Sequence, residues 1–144
     1  MEGVPVGYPI DIRWEGGERF SGGRPDGPSL LVDGERAAAP GPVDSLLVAL
    51  ASCSAIDVLE ILRKRRTPAT DLQVRATFSR AATPPRRLTA VQLHFRVATD
   101  SEAHHVERAV ELSVEKYCSV VHSLKADIDL GWDVEVVAAG PPSA

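Results

Sequence analysis

One stretch dominates what this chain can become: PVDSLLVALASCSAIDVLEILRKRR, residues 42 to 66. Pro42 suits the first turn of a helix, and the pattern predicts a helix from Pro42 to Arg66. Between Leu46 and Ile56 every side of that helix is apolar or small. A helix on the surface of a globular protein shows a polar face. This one lacks it for several turns and is expected to be buried all round. A chain of 144 residues forms one domain, 1–144, around a single core. It has little else with which to wrap a helix completely, so a second copy supplying the cover is expected.

The rest of the chain reads as short strands around two helices. Residues 5 to 13 read as a strand, and WEGGERF as a turn with Gly16 and Gly17 at its tip. SGGRPDGPS is loop-forming, SLLVDG a short third strand, and AAAPGP a break before the helix. In DLQVRATFS, Leu72, Val74, Ala76 and Phe78 alternate with polar residues. In TAVQLHFRVAT, Val91, Leu93, Phe95 and Val97 do the same, giving a hairpin with one wet face. His94 falls on that wet face and reads as a surface residue. A second helix is expected from a Ser101 cap to about Lys125, with a stripe of Val106, Val110, Val114, Tyr117, Val121 and Leu124. IDLGWDVEVVAA is the last strand and GPPSA a frayed tail. Parallel βαβ alternation is absent from the pattern, so the class is α+β with mainly antiparallel sheet.

Charge and composition close off several functions. The net charge of −4 gives no electrostatic case for nucleic acid or an anionic membrane. The basic run Arg63-Lys64-Arg65-Arg66 follows an apolar helix, where cations complement the helix C-terminus. The most apolar stretch is interrupted by Asp44, Asp57 and Glu60, so no membrane span is expected. The opening residues lack a basic region followed by an apolar run, so no secretory signal is expected. Two cysteines in a domain that builds its own core suggest free thiols in a reducing cytoplasm.

Those cysteines are the candidate chemistry. On a helix Cys53 neighbours Asp57, and Cys118 neighbours Glu115 and His122. Four readings are open: two packing thiols, a metal site of Cys53, Asp57, Cys118 and His122, a Cys–His hydrolase, and a two-cysteine redox centre. Packing cysteines usually sit in an apolar stripe, whereas both of these border polar residues. A redox centre needs a thiolate. Cys53 lies about 16 Å into its helix, too deep for the dipole to help. A positive charge must come from elsewhere. Arg24 in the loop SGGRPDG is the first candidate, with Arg13 and Arg19 as alternatives.

The runs PVDSLLVALASCSAIDVLEILRKRR and AVELSVEKYCSVVHSLKADIDLGW resemble the two cysteine helices of the OsmC/Ohr family of thiol-dependent peroxide reductases. The element order is similar from about residue 8 to 138. The resemblance implies an OsmC-like fold, with two central helices wrapped by bent antiparallel sheets in an intertwined homodimer. It makes Cys53 the cysteine that attacks an organic hydroperoxide. Cys118 then resolves the sulfenic acid as a disulfide, which a dithiol reduces. It assigns the thiolate-holding arginine to Arg24 in Gly22-Gly23-Arg24-Pro25-Asp26-Gly27. The family places a glutamate on that arginine, directly after the helix-opening proline. Here that position is Val43, and Asp44, about 100° further round the helix, is the nearest carboxylate. A proline that tends to follow the second cysteine is here Ser119. The site so read is Cys53, Cys118, Arg24 and Asp44, with no cofactor and no metal. The alternative from another class is a non-catalytic dimeric binding protein for a small hydrophobic ligand.

Overall fold

The computed structural model describes residues 3–141; the end of the tail read from the sequence, 142–144, lies outside them. The chain gathers into two compact units, 1–46 and 47–144.

The first unit is an antiparallel meander of β1 (Asp11–Trp14), β2 (Arg19–Gly23) and β3 (Leu30–Asp33). The strand read over 5 to 13 is thus shorter and starts later. The β1–β2 turn needs its glycines, with φ of 100° at Gly16 and 57° at Gly17. Trp14 Nε1 donates to the Gly17 carbonyl at 2.8 Å and closes it. One side of this sheet is an open apolar depression of about 500 Å³, lined by Ile10, Ile12, Phe20, Leu30 and Val32. After β3, the buried Asp33 carboxylate collects the main-chain N–H groups of Glu35, Ala37 and Ala38 at 2.9, 3.1 and 2.8 Å. These bonds, the one from Ala38 foremost, hold its carboxyl below the usual carboxylate range. That fixes the loop leading to the first helix.

Helix α1 runs Pro42–Lys64, as the sequence predicts to within two residues. The Asp44 carboxylate reaches back to the Gly41 N–H at 3.2 Å, satisfying an otherwise orphaned donor at the helix start. The C-terminus closes with Arg66 at φ 64°, Arg66 N bonding Arg63 O and Thr67 N bonding Leu62 O. The basic run is exposed throughout, as expected. Leu47, Leu50, Ser54, Val58 and Leu62 form one buried face. The expectation of burial on every side does not hold within one chain: Val48 is 58% and Ile56 54% exposed. By length and composition alone this helix is apolar enough to cross a membrane; its buried face is occupied by protein.

The second sheet has the order β4-β5-β6, from Asp71–Arg80, Leu88–Ala98 and Asp129–Val137. The β4–β5 hairpin is antiparallel as read, with Val74 facing Phe95 across the ladder. Val91, Leu93, Phe95 and Val97 are buried, and Phe95 is the largest fully buried side chain. His94 stays on the wet face, its Nδ1 2.8 Å from Asp133 Oδ2. Strand β6 pairs with β5 in parallel, which corrects the reading that no βαβ unit is present. The connecting segment between β5 and β6 is the crossover such a pair requires. The chain remains α+β, with its other strand pairings antiparallel.

Helix α2 occupies that crossover, and it is shorter than expected. It runs Ala103–Leu112, with Glu102 rather than Ser101 at the N-cap. A wide π-turn, Ser113–Tyr117, follows, and Cys118 is extended at φ −72°, ψ 107°. A short 3₁₀ turn, Val121–Ser123, leads on towards β6. Val106 and Val110 are buried as predicted, but Tyr117 is 53% exposed.

Candidate active site

Cys53 projects from α1 and is half-buried, while Cys118 is fully buried just beyond the π-turn. Both thiols are free, and Cys53 lies near enough to Cys118 to raise its thiol. Burial pushes the Cys118 thiol up from 9.0 to about 11, and nearby Cys53 adds to the rise. The main-chain N–H of Val121, 3.4 Å from the sulfur, works in the opposite direction but loses to burial. Cys118 therefore holds its proton more tightly than an ordinary thiol.

The polar neighbours read from helical spacing are rearranged. Because the helix breaks before Cys118, Glu115 and His122 are not its facing neighbours; both are exposed while Cys118 is buried. His122 meets Cys118 through the main chain, its N–H donating to the Cys118 carbonyl at 3.2 Å. The metal set of Cys53, Asp57, Cys118 and His122 does not converge. Among the described residues, the grouped metal-type donors are instead Glu102, His104 and His105.

Asp57 is tied to a buried serine pair. Ser113 Oγ donates to Asp57 Oδ2 at 2.7 Å and lies 3.0 Å from Ser54 Oγ. Ser54 and Ser113 are both fully buried. The same Ser113 accepts the Cys118 N–H on its main-chain oxygen at 2.8 Å. The sequence reading missed these serines. The available signal was a hydroxyl inside each apolar stripe, since a buried hydroxyl needs a partner.

Arg24 and Asp44 belong to the other unit. The Arg24 guanidinium stacks over the Tyr8 ring at 3.7 Å, and its Nη2 donates to the Tyr8 hydroxyl at 2.7 Å. Among the described residues no ion pair joins Arg24 to Asp44, which is engaged at the start of α1. Of the alternatives, Arg19 reaches the Glu15 carbonyl at 3.5 Å. Arg13 lines an open polar depression beside the Arg24 loop.

The sequence pattern of the family described as OsmC-like protein matches residues 33–133. The chain belongs to the OsmC-like family. It is 41% identical over 130 residues to protein YhfA of Escherichia coli K12, covering 89% of this chain and 97% of YhfA. A crystal structure of a protein from Aquifex aeolicus VF5 matches at 26% identity and TM-score 0.79, covering 93% and 99% of the two chains. An organic hydroperoxide resistance protein OsmC from Legionella pneumophila shares the fold at TM-score 0.67 and 19% identity, covering 93% and 100%. The OsmC-like fold is therefore present, and the thiol pair lies within the matched region.

Proposed function

We propose that this chain reduces organic hydroperoxides with Cys53 and Cys118, in a peroxide-stress role. The observation that carries the reading is the proximity of the two thiols, one half-exposed and one buried. A hydroperoxide arriving from solvent meets Cys53 first. The Cys53 thiolate attacks the peroxide, the O–O bond breaks, and the alcohol leaves with a proton. Cys53 becomes a sulfenic acid. Cys118 then gives up its proton and attacks the Cys53 sulfur, which releases water and forms the disulfide. An external dithiol restores both thiols and is itself oxidised. No bound cofactor is needed, and a reducing cytoplasm suits the cycle.

Family resemblance gives Arg24 the task of holding the thiolate; the family's orienting glutamate is Val43 here, and Asp44 is the candidate to take its place. The homodimer is part of the same proposal, supported by the exposed apolar residues Val48, Ile56 and Leu59 on α1. A second reading, a dimeric binding protein for a small hydrophobic ligand, is favoured by the apolar depression on the first sheet.

One equivalent of cumene hydroperoxide added to the reduced protein decides between them by mass spectrometry. The proposal expects an intramolecular Cys53–Cys118 disulfide. Cys53→Ser should consume no peroxide. Cys118→Ser should react once and stall as the sulfenic acid. Two free thiols and an unchanged mass in the parent protein would leave the binding-protein reading standing.

A further inference from the structure

We propose that Ser113 is a positioning residue for the thiol pair, setting the gap that Cys53 and Cys118 cross when they form a disulfide. In the peroxide cycle this inference rests on the two-cysteine reading above; the geometry behind it does not. Among the described residues, Ser113 is the one seen to hold both sides of the pair. Its main-chain oxygen accepts the Cys118 N–H at 2.8 Å. Its hydroxyl binds Asp57 at 2.7 Å and meets Ser54 at 3.0 Å. Ser54 directly follows Cys53 on α1, and Asp57 is the next residue on the same helical face.

The direction of that hydroxyl argues against simple filling of space. A serine within a helix commonly bonds back to a carbonyl of its own preceding turn. Ser113 instead spans to another helix, at the first residue of the π-turn that delivers Cys118. Wide turns of this kind are frequent at functional sites. With alanine at 113 the main-chain bond to Cys118 remains, but Asp57 loses its donor and Ser54 a buried partner. The two cysteines would then be joined through fewer fixed points. Closing a bond between two groups is sensitive to such looseness, a misplacement of about 1 Å costing on the order of a hundredfold.

Two arms test the inference. In the first, sulfenic acid formation at Cys53 and its closure to the disulfide are timed separately by rapid quench and mass spectrometry. Ser113→Ala should slow closure by about tenfold to a hundredfold and slow sulfenic acid formation far less. Ser113→Thr, which restores a hydroxyl, should recover most of the closure rate. In the second arm no peroxide is used. Oxidised glutathione accepts the electrons of the two thiols, giving the protein disulfide and two reduced glutathione molecules. Ser113→Ala should shift this equilibrium towards the dithiol by about tenfold, close to 30 mV, and Asp57→Asn should shift it in the same direction. If no variant reacts with peroxide but the glutathione equilibrium shifts as stated, the positioning role stands and the peroxidase reading falls. Folded Ser113→Ala with parental closure and a parental glutathione equilibrium would overturn the inference. Should that variant fail to fold, a parental equilibrium in folded Asp57→Asn overturns it instead.

Discussion

The sulfur of Cys118 accepts the main-chain N–H of Val121 at 3.4 Å, yet its thiol titrates near 11 rather than at 9.0. Burial disfavours the thiolate most strongly and nearby Cys53 adds to that, while the main-chain N–H groups of Val121 and Val120 favour it less. The folded state therefore binds this proton more tightly than the unfolded chain does. The resulting stability is complete below about pH 9 and is lost as pH rises through about 11. Alkaline unfolding of the parent should steepen across that window, and Cys118→Ala should remove the extra slope. Chemical denaturation at stepped pH measures both.

Asp44 and Arg24 should separate when mutated. Asp44→Ala removes a carboxylate that serves the first turn of α1. It should lower stability by about 0.5–1 kcal/mol, read from the denaturation midpoint. Arg24→Ala leaves that cap intact. It should slow the first oxidation step, with Arg24→Lys recovering part of the rate. Asp44→Ala that also slows this step in folded protein would add an orienting role to its capping one.

Asp33 predicts behaviour in acid. Its carboxyl is held below 3.8, chiefly by the Ala38 N–H. Its stabilising effect is present above that ordinary value and is lost as pH falls through the depressed one. Asp33→Asn should unfold at lower temperature than the parent near pH 7, and the gap should narrow as pH falls below 3.8. Thermal melts across that range provide the check.

The exposed side of α1 predicts assembly. The parent should sediment at about twice 15.4 kDa at micromolar concentration. Ile56, 54% exposed in one chain, is a position where a charge costs a lone protomer little. Ile56→Glu should therefore weaken the dimer while a folded protomer persists. A parent that stays a stable monomer in analytical ultracentrifugation would contradict this.

Much of the fold was legible because the side chains carried its period. Alternation at Val91, Leu93, Phe95 and Val97 located β5, and Pro42 marked the start of α1. The end of α2 was hidden for a physical reason. Val114, Tyr117, Val121 and Leu124 keep helical spacing in sequence, although the backbone leaves the helix before Cys118. The cysteine pair was visible as chemistry, but its neighbours were drawn from a helix that does not continue. Ser113 escaped notice because its importance comes from contacts distant in sequence. The parallel β5–β6 pair was legible only as strand, helix and strand in order; nothing in the side-chain pattern states strand direction.

That parallel pair also bears on how the protein is made. An antiparallel hairpin such as β4–β5 can zip from its own turn. Strand β6 can join β5 only after the intervening chain, from 99 to 128, has folded back along the sheet, a closure with a larger entropic cost. Cys118 travels within that segment. During synthesis Cys53 emerges first, while the final strand is still missing. The early chain thus presents Cys53 without its partner, and loss of access to Cys118 by a thiol-labelling reagent marks late completion of the sheet. Pulse labelling during refolding would follow that order directly.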